Sequence, residues 1–166
     1  MARDIPVSNG RMLVDFDLSY NLRDIFFPSI GQENHTGGTL CRTGIWVDGQ
    51  FSWLNSPEWE KSLRYKPESL VTEVVLSRQN LGIKITFNDA IDFDRNLFLR
   101  RATVANLAAA ERKVRLYFHY DFHLYGLGLG DTVYYDPVSG AIVAYKGRRY
   151  FIASGRNSDS EHPSEW

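Results

Sequence analysis

Cysteine is nearly absent. Cys41 stands alone in 166 residues, which excludes an internal disulfide and a cysteine-rich zinc site. An excess of one charge is also missing. The 19 basic and 20 acidic residues leave a formal net charge of −1, unlike the strongly basic footprint of a phosphate-driven nucleic-acid binder. The small basic groups, Arg100-Arg101, Arg112-Lys113 with Arg115, and Arg148-Arg149, lie in or beside strand patterns and read as solvated faces. No apolar run approaches the ~20 residues of a membrane helix, so no membrane association is expected. Met1 to Ser8 lacks the apolar core of a signal peptide. With a lone thiol, that reads as a cytoplasmic chain. Helical periodicity is missing too: Leu107 to Glu111 carries three alanines but is too short for more than one turn. There is no Gly-x-Ser-x-Gly elbow and no phosphate loop. Gly126-Leu-Gly-Leu-Gly130 follows a strand pattern, but no helix follows it, so it fails as a dinucleotide motif. No cofactor is expected.

What remains is apolar and aromatic material, 43% and 14% of the chain. A chain of this length fits one domain that buries roughly 70% of its unfolded surface. The patterning has period two. Arg11 to Leu18 gives a first strand. Asp48-Gly49 is the preferred pair for a type I′ turn, so Cys41 to Leu54 reads as a hairpin. Its register sets Val47 opposite Gln50, Trp46 opposite Phe51, Ile45 opposite Ser52 and Gly44 opposite Trp53. Trp46, Phe51 and Trp53 then share one face, and the two tryptophans are expected in the core. Asn55 to Pro67 reads as a connection. Further strands are expected over Leu70 to Ser77, Ile83 to Phe87, Leu97 to Asn106, Val114 to Leu124, Thr132 to Tyr135, Ala141 to Lys146 and Arg149 to Ser154, with an acidic loop at Asn88 to Asn96. About ten closely spaced strands predict an all-β, antiparallel β-sandwich. One domain is expected over residues 1–155, with a polar tail or cut linker over 156–166.

The stretch from Tyr20 to Thr36 differs from the rest. Its first half is apolar and its second half polar, and Pro28, which cannot donate to a ladder, ends a strand between them. Asn21, Arg23, Asp24, Gln32, Glu33, Asn34 and His35 offer amides, carboxylates, a guanidinium and an imidazole. Such groups grip hydroxyl-rich ligands, and they also tie down long loops. Three other clusters invite chemistry. His119, Asp121 and His123 share a strand face, but the two histidines would stand ~13 Å apart, too far for one zinc ion, so no metal site is expected. Asp89, Asp92 and Asp94 offer a carboxylate pair for glycoside cleavage. Trp46, Trp53 and Trp59 offer rings that stack on sugars.

Ala2 to Gly10, Tyr20-Asn21-Leu22-Arg23-Asp24 and Gly31-Gln32-Glu33-Asn34-His35 together resemble the amino-terminal end of prokaryotic family 15 glycoside hydrolases, the glucoamylase-, glucodextranase- and trehalase-like enzymes. Gly44 to Gly49, Leu99-Arg100-Arg101, Tyr120 to His123 and Gly130 to Pro137 extend the likeness across most of the chain. The resemblance implies a supersandwich of the galactose-mutarotase type. It also implies a carboxy-terminal (α/α)₆ barrel, absent from this sequence, whose two glutamates hydrolyse α-glucosidic bonds with inversion. No residue of this chain corresponds to those glutamates, and Glu33 is not one of them. The chain is thus expected to be a non-catalytic domain. Its loop from Asn21 to His35 would face the barrel mouth, and the parent enzyme would act on an α-glucan, a dextran-type oligosaccharide or trehalose. Two alternatives stand beside it: a free-standing carbohydrate-binding module using Trp46, Trp53 and Trp59, and a small hydrolase built on Asp89 to Asp94.

Overall fold

The computed structural model describes residues 4–157; most of the expected tail, from residue 158, lies outside the described residues. Among the described residues, thirteen strands and two single 3₁₀ turns account for the regular structure. The strands are β1 (Val7–Ser8), β2 (Leu13–Phe16), β3 (Leu22–Phe26), β4 (Arg42–Val47), β5 (Gln50–Trp53), β6 (Glu60–Tyr65), β7 (Thr72–Arg78), β8 (Ile83–Ile91), β9 (Phe98–Asn106), β10 (Val114–His119), β11 (Thr132–Asp136), β12 (Ala141–Lys146) and β13 (Arg149–Ala153). All pairings are antiparallel, in four sheets of order β1-β2-β3, β10-β4-β5, β6-β7-β8-β9 and β11-β12-β13. The expected all-β sandwich is the observed architecture.

Alternation decides what each sheet buries. In β7 and β8 the inward residues Val74, Leu76, Ile83, Ile85 and Phe87 are fully buried, and Val75, Lys84 and Thr86 point away. Facing them are Val14 and Phe16 of β2, Leu22 of β3, and Ile45 and Val47 of β4, in one contiguous core cluster. The second layer is stitched together where the backbones of Leu22 and Cys41 exchange hydrogen bonds, both 3.0 Å. The sheet β11-β12-β13 stands beside this sandwich.

The β4–β5 hairpin has the expected register pair for pair. Asp48 and Gly49 both take positive φ, 47° and 92°, as a type I′ turn requires. The orientation is the reverse of the expected one. Ile45, Val47 and Ser52 face the core, and Trp46, Phe51 and Trp53 face outward. The inward face continues through Val114 and Leu116 of β10, which pair with Val47 and Ile45. That makes a smooth β-branched and aliphatic surface that packs on the opposite layer.

Other expectations change for similar reasons. Asn55 to Pro67 is not merely a connection: β6 hides inside it, because only Lys61, Leu63 and Tyr65 face inward and their neighbours are charged or polar. Asn88 to Asn96 is loop only from Asp92, since β8 runs on through Asp89 to Ile91. The long alternation after Val114 is strand only to His119. Beyond it the chain turns, and the His123 ring lies between Gly37 and Gly128. An added Cβ on either glycine would come within 2.8 and 3.0 Å of His123 atoms.

Candidate functional site

The predicted polar loop folds back across the end of β3, with Asn34 at its hub. Its Oδ1 accepts from the backbone N–H of Ile25 (3.2 Å) and of Thr36 (3.1 Å) and from the Thr36 hydroxyl (2.9 Å), and its Nδ2 donates to Asp24 Oδ1 (2.7 Å). One amide thus ties two separate stretches, as a planar donor–acceptor group can. The Thr36 hydroxyl has one proton, which it shares between Asn34 Oδ1 and the nearer Arg23 carbonyl at 2.7 Å. Asn21 donates to both Asp17 carboxylate oxygens, at 3.1 and 2.9 Å.

His35 is fully buried. Its Nδ1 accepts from the Tyr125 backbone N–H at 3.1 Å, which leaves the proton on Nε2 to donate to the Phe27 carbonyl at 2.6 Å. Both nitrogens are used by the neutral ring. Burial pushes its pKa below the ordinary value, and the Phe27 carbonyl offsets this only in part. The ring also packs against Phe151 and Tyr125, with centroids at 5.0 and 5.8 Å. The His35 carbonyl accepts from His123 N–H at 2.8 Å. Glu33 pairs with Arg149 at 2.8 Å, and that guanidinium lies over the rings of Phe27 and Tyr125.

The seven predicted residues therefore lie along one continuous region, but most of their polar atoms are turned inward. Gln32 is exposed and Arg23 half-buried, whereas Asn21, Asp24 and His35 are buried. The partners Arg149, Tyr125 and Phe151 were not foreseen. Arg149 belongs to a pair read as a solvated face, yet its side chain is 19% exposed. The only hint in the sequence was its alternation with Phe151 along one strand.

A second polar cluster sits inside the sandwich. Asp89, expected in an acidic loop, is fully buried. It accepts from Arg100 Nε at 2.7 Å and from the Tyr20 hydroxyl at 2.6 Å, and Thr72 Oγ1 approaches at 3.3 Å. Arg100 is ringed by Phe16, Tyr20, Phe87 and Phe98, with its Cζ 5.1–5.5 Å from their centroids. Burial lowers the Arg100 pKa, but Asp89 together with the Tyr20 and Tyr120 hydroxyls more than reverses this, so the guanidinium stays charged; burial also drives the Tyr20 hydroxyl well up. This corrects the solvated reading of Arg100 and the carboxylate-pair reading of Asp89. Asp92 serves the turn, accepting from the backbone of Asp94 and Arg95. Among the described residues no group of three or more His, Cys, Asp or Glu is placed to hold a metal ion, and no helix is long and apolar enough to cross a membrane.

The tryptophans separate. Trp59 is 3% exposed, and its indole N–H donates to Ser52 Oγ at 3.0 Å, so it cannot join a surface platform with Trp46 and Trp53.

No family model and no curated protein matches this sequence. Among solved structures, a bacterial glucoamylase crystallised with acarbose matches with a TM-score of 0.69 and 14% identity over 88% of this chain. At that identity the likeness is one of fold. The matched region is 22% of the glucoamylase, so this chain spans less than a quarter of that protein's length.

Proposed function

We propose that this chain is the non-catalytic, amino-terminal β-sandwich of a glucoamylase-like enzyme of family 15, with residues 1–155 forming the domain and the rest linking onward. The partner is a carboxy-terminal (α/α)₆ barrel of the same protein. Through it the enzyme hydrolyses an α-glucan, a dextran-type oligosaccharide or trehalose in the cytoplasm. The observation that carries the reading is the fold match of 88% of the chain to a fraction of a glucoamylase. The chemistry of two ion-paired carboxylates agrees with a passive role. Asp89 is neutralised by Arg100 and Glu33 is held by Arg149, and a glycosidase needs two free carboxyl groups across a sugar.

The loop from Asn21 to His35 supports the barrel mouth in this reading. Its internal bonds fix the backbone, and Gln32 and Arg23 are the groups left toward the surface. The test lies in the coding sequence beyond residue 166. A frame that continues into a helical, glutamate-bearing segment is expected, and the longer protein should release glucose from an α-glucoside while the 166-residue chain releases none. A frame that stops, or sugar release by this chain alone, overturns the proposal.

A further inference from the structure

The outer face of the β10-β4-β5 sheet carries a second, unrelated feature. Arg42, Gly44 and Trp46 of β4 lie beside Phe51 and Trp53 of β5 and Arg115, Tyr117 and His119 of β10, by the strand register. The rings interlock edge to face. Phe51 meets Trp53 at 4.9 Å and 90°, and Tyr117 at 5.8 Å and 68°. Gly44 makes this possible, because an added Cβ would sit 2.5 Å from Phe51 Cζ. Guanidinium groups cap the indoles: Arg42 lies 4.5 Å above Trp53, and Arg115 lies 5.5 Å above Trp46. Phe51 and Tyr117 remain 48% and 43% exposed. The buried Arg42 Nε has no hydrogen-bond partner among the described residues.

This face holds two arginines, a histidine and four aromatic rings, and no Asp, Glu, Asn or Gln. A neutral sugar's hydroxyls donate as well as accept and so call for amide and carboxylate acceptors, of which there are none here; the two arginines only donate. The indole faces that a pyranose would stack on are already capped by guanidinium groups. A second copy of the same face would set arginine against arginine. What fits is carboxylate presented beside apolar side chains: the forked donors of arginine match carboxylate in pairs, and Trp, Tyr and Arg are the side chains that dominate protein-binding surfaces. We propose that the outer face of β10-β4-β5 is a docking surface for an acidic polypeptide segment, with Arg42 and Arg115 receiving its carboxylates between the rings of Trp46, Phe51, Trp53 and Tyr117. The proposal does not rest on the sugar-enzyme reading, since it holds whether or not a barrel follows.

The test uses the 166-residue chain and a labelled oligoglutamate peptide, read by fluorescence anisotropy, with polygalacturonate and maltoheptaose as competitors. Saturable peptide binding that weakens with added salt is expected. Arg115→Glu should weaken it about tenfold or more, the scale of a lost hydrogen bond to a charged group. Arg115 is exposed, so this variant should unfold at the wild-type temperature. Arg101→Glu makes the same charge change on the solvated face of β9 and should leave binding unchanged. Phe51→Ser tests the apolar part and should also weaken binding. Absence of peptide binding, equal loss in Arg101→Glu and Arg115→Glu, or stronger competition by either polysaccharide than by unlabelled peptide overturns the proposal.

Discussion

The sandwich of β1 to β10 and the sheet β11-β12-β13 are built from the same alternating strands, yet they bury them differently. In β8 the inward side chains Ile83, Ile85, Phe87 and Asp89 are all fully buried. In β11, by contrast, Val133, Tyr134 and Tyr135 stay 48–60% exposed, and in β13 Tyr150 and Ile152 stay 55% and 68% exposed. Only the central strand β12 buries Ala141, Val143 and Ala144. The smaller sheet is held to the body by Phe151 on Phe122 and His35, by Arg149 on Glu33, and by Lys146 donating to the Leu124 carbonyl. An alternating strand is therefore an offer of one face; the layer opposite decides whether the offer is taken up.

The comparison breaks most severely if the ion pair inside the sandwich is cut. Arg100→Ala should leave the Asp89 carboxylate buried without its cation, at a cost of about 3–5 kcal/mol, a large share of the ~5–15 kcal/mol that stabilises a domain. Urea unfolding should show the loss as one cooperative shift of the whole sandwich. Arg100→Met, which keeps a long apolar stem among the four rings, should behave as badly, because the harm lies in the stranded carboxylate. A pair of changes, Asp89→Leu with Arg100→Met, should recover much of the stability. If the double change is as damaging as the single one, the charge account is wrong and packing alone matters.

The smaller sheet should respond to His35. Replacing it with Ala strands the Phe27 carbonyl and the Tyr125 N–H, which costs about 1–3 kcal/mol for buried groups. Hydrogen exchange should quicken in β11 to β13 more than in β7 and β8. The same residue gives a pH signature. The neutral ring is preferred in the fold and its pKa lies below the ordinary 6.5, so the unfolded chain binds the proton more readily. The contribution is fully present above pH ~6.5 and is lost as pH falls through the lower folded value. Unfolding followed from pH 7 to 5 should lose stability over that window in the wild type, and the His35→Gln variant should lose less.

Some of this was legible beforehand and some could not be. The β4–β5 register followed from Asp48-Gly49 alone, because turn geometry fixes pairing locally. Its inward face did not follow, because both faces are apolar and the choice belongs to β10, which arrives almost seventy residues later in the chain. Asp89 looked like loop because acidic residues cluster there, yet Arg100 sits directly opposite it across the β8–β9 pair. That charge match was the available signal. The loop from Asn21 to His35 was visible as a run of hydrogen-bonding groups. Its distant partners were not, since Tyr125 and Arg149 are 90 and 116 residues from His35 and Glu33.

The gentlest tests sit at the rim. Glu33→Gln removes the charge from a pair whose side chains are 32% and 19% exposed, so solvent screening should hold the loss to about 1 kcal/mol or less. Ile152→Thr keeps the β-branched shape on an open face of β13 and should change stability by no more than about 0.5 kcal/mol in either direction. A thermal scan of the 166-residue chain decides this. If Ile152→Thr instead costs as much as a core truncation, then β13 already buries that face against another layer in solution, and the contrast between the two parts of the molecule disappears. If the cost is small, the face of Tyr134, Tyr145, Tyr150 and Ile152 is free to solvent and the smaller sheet depends on its one anchored side.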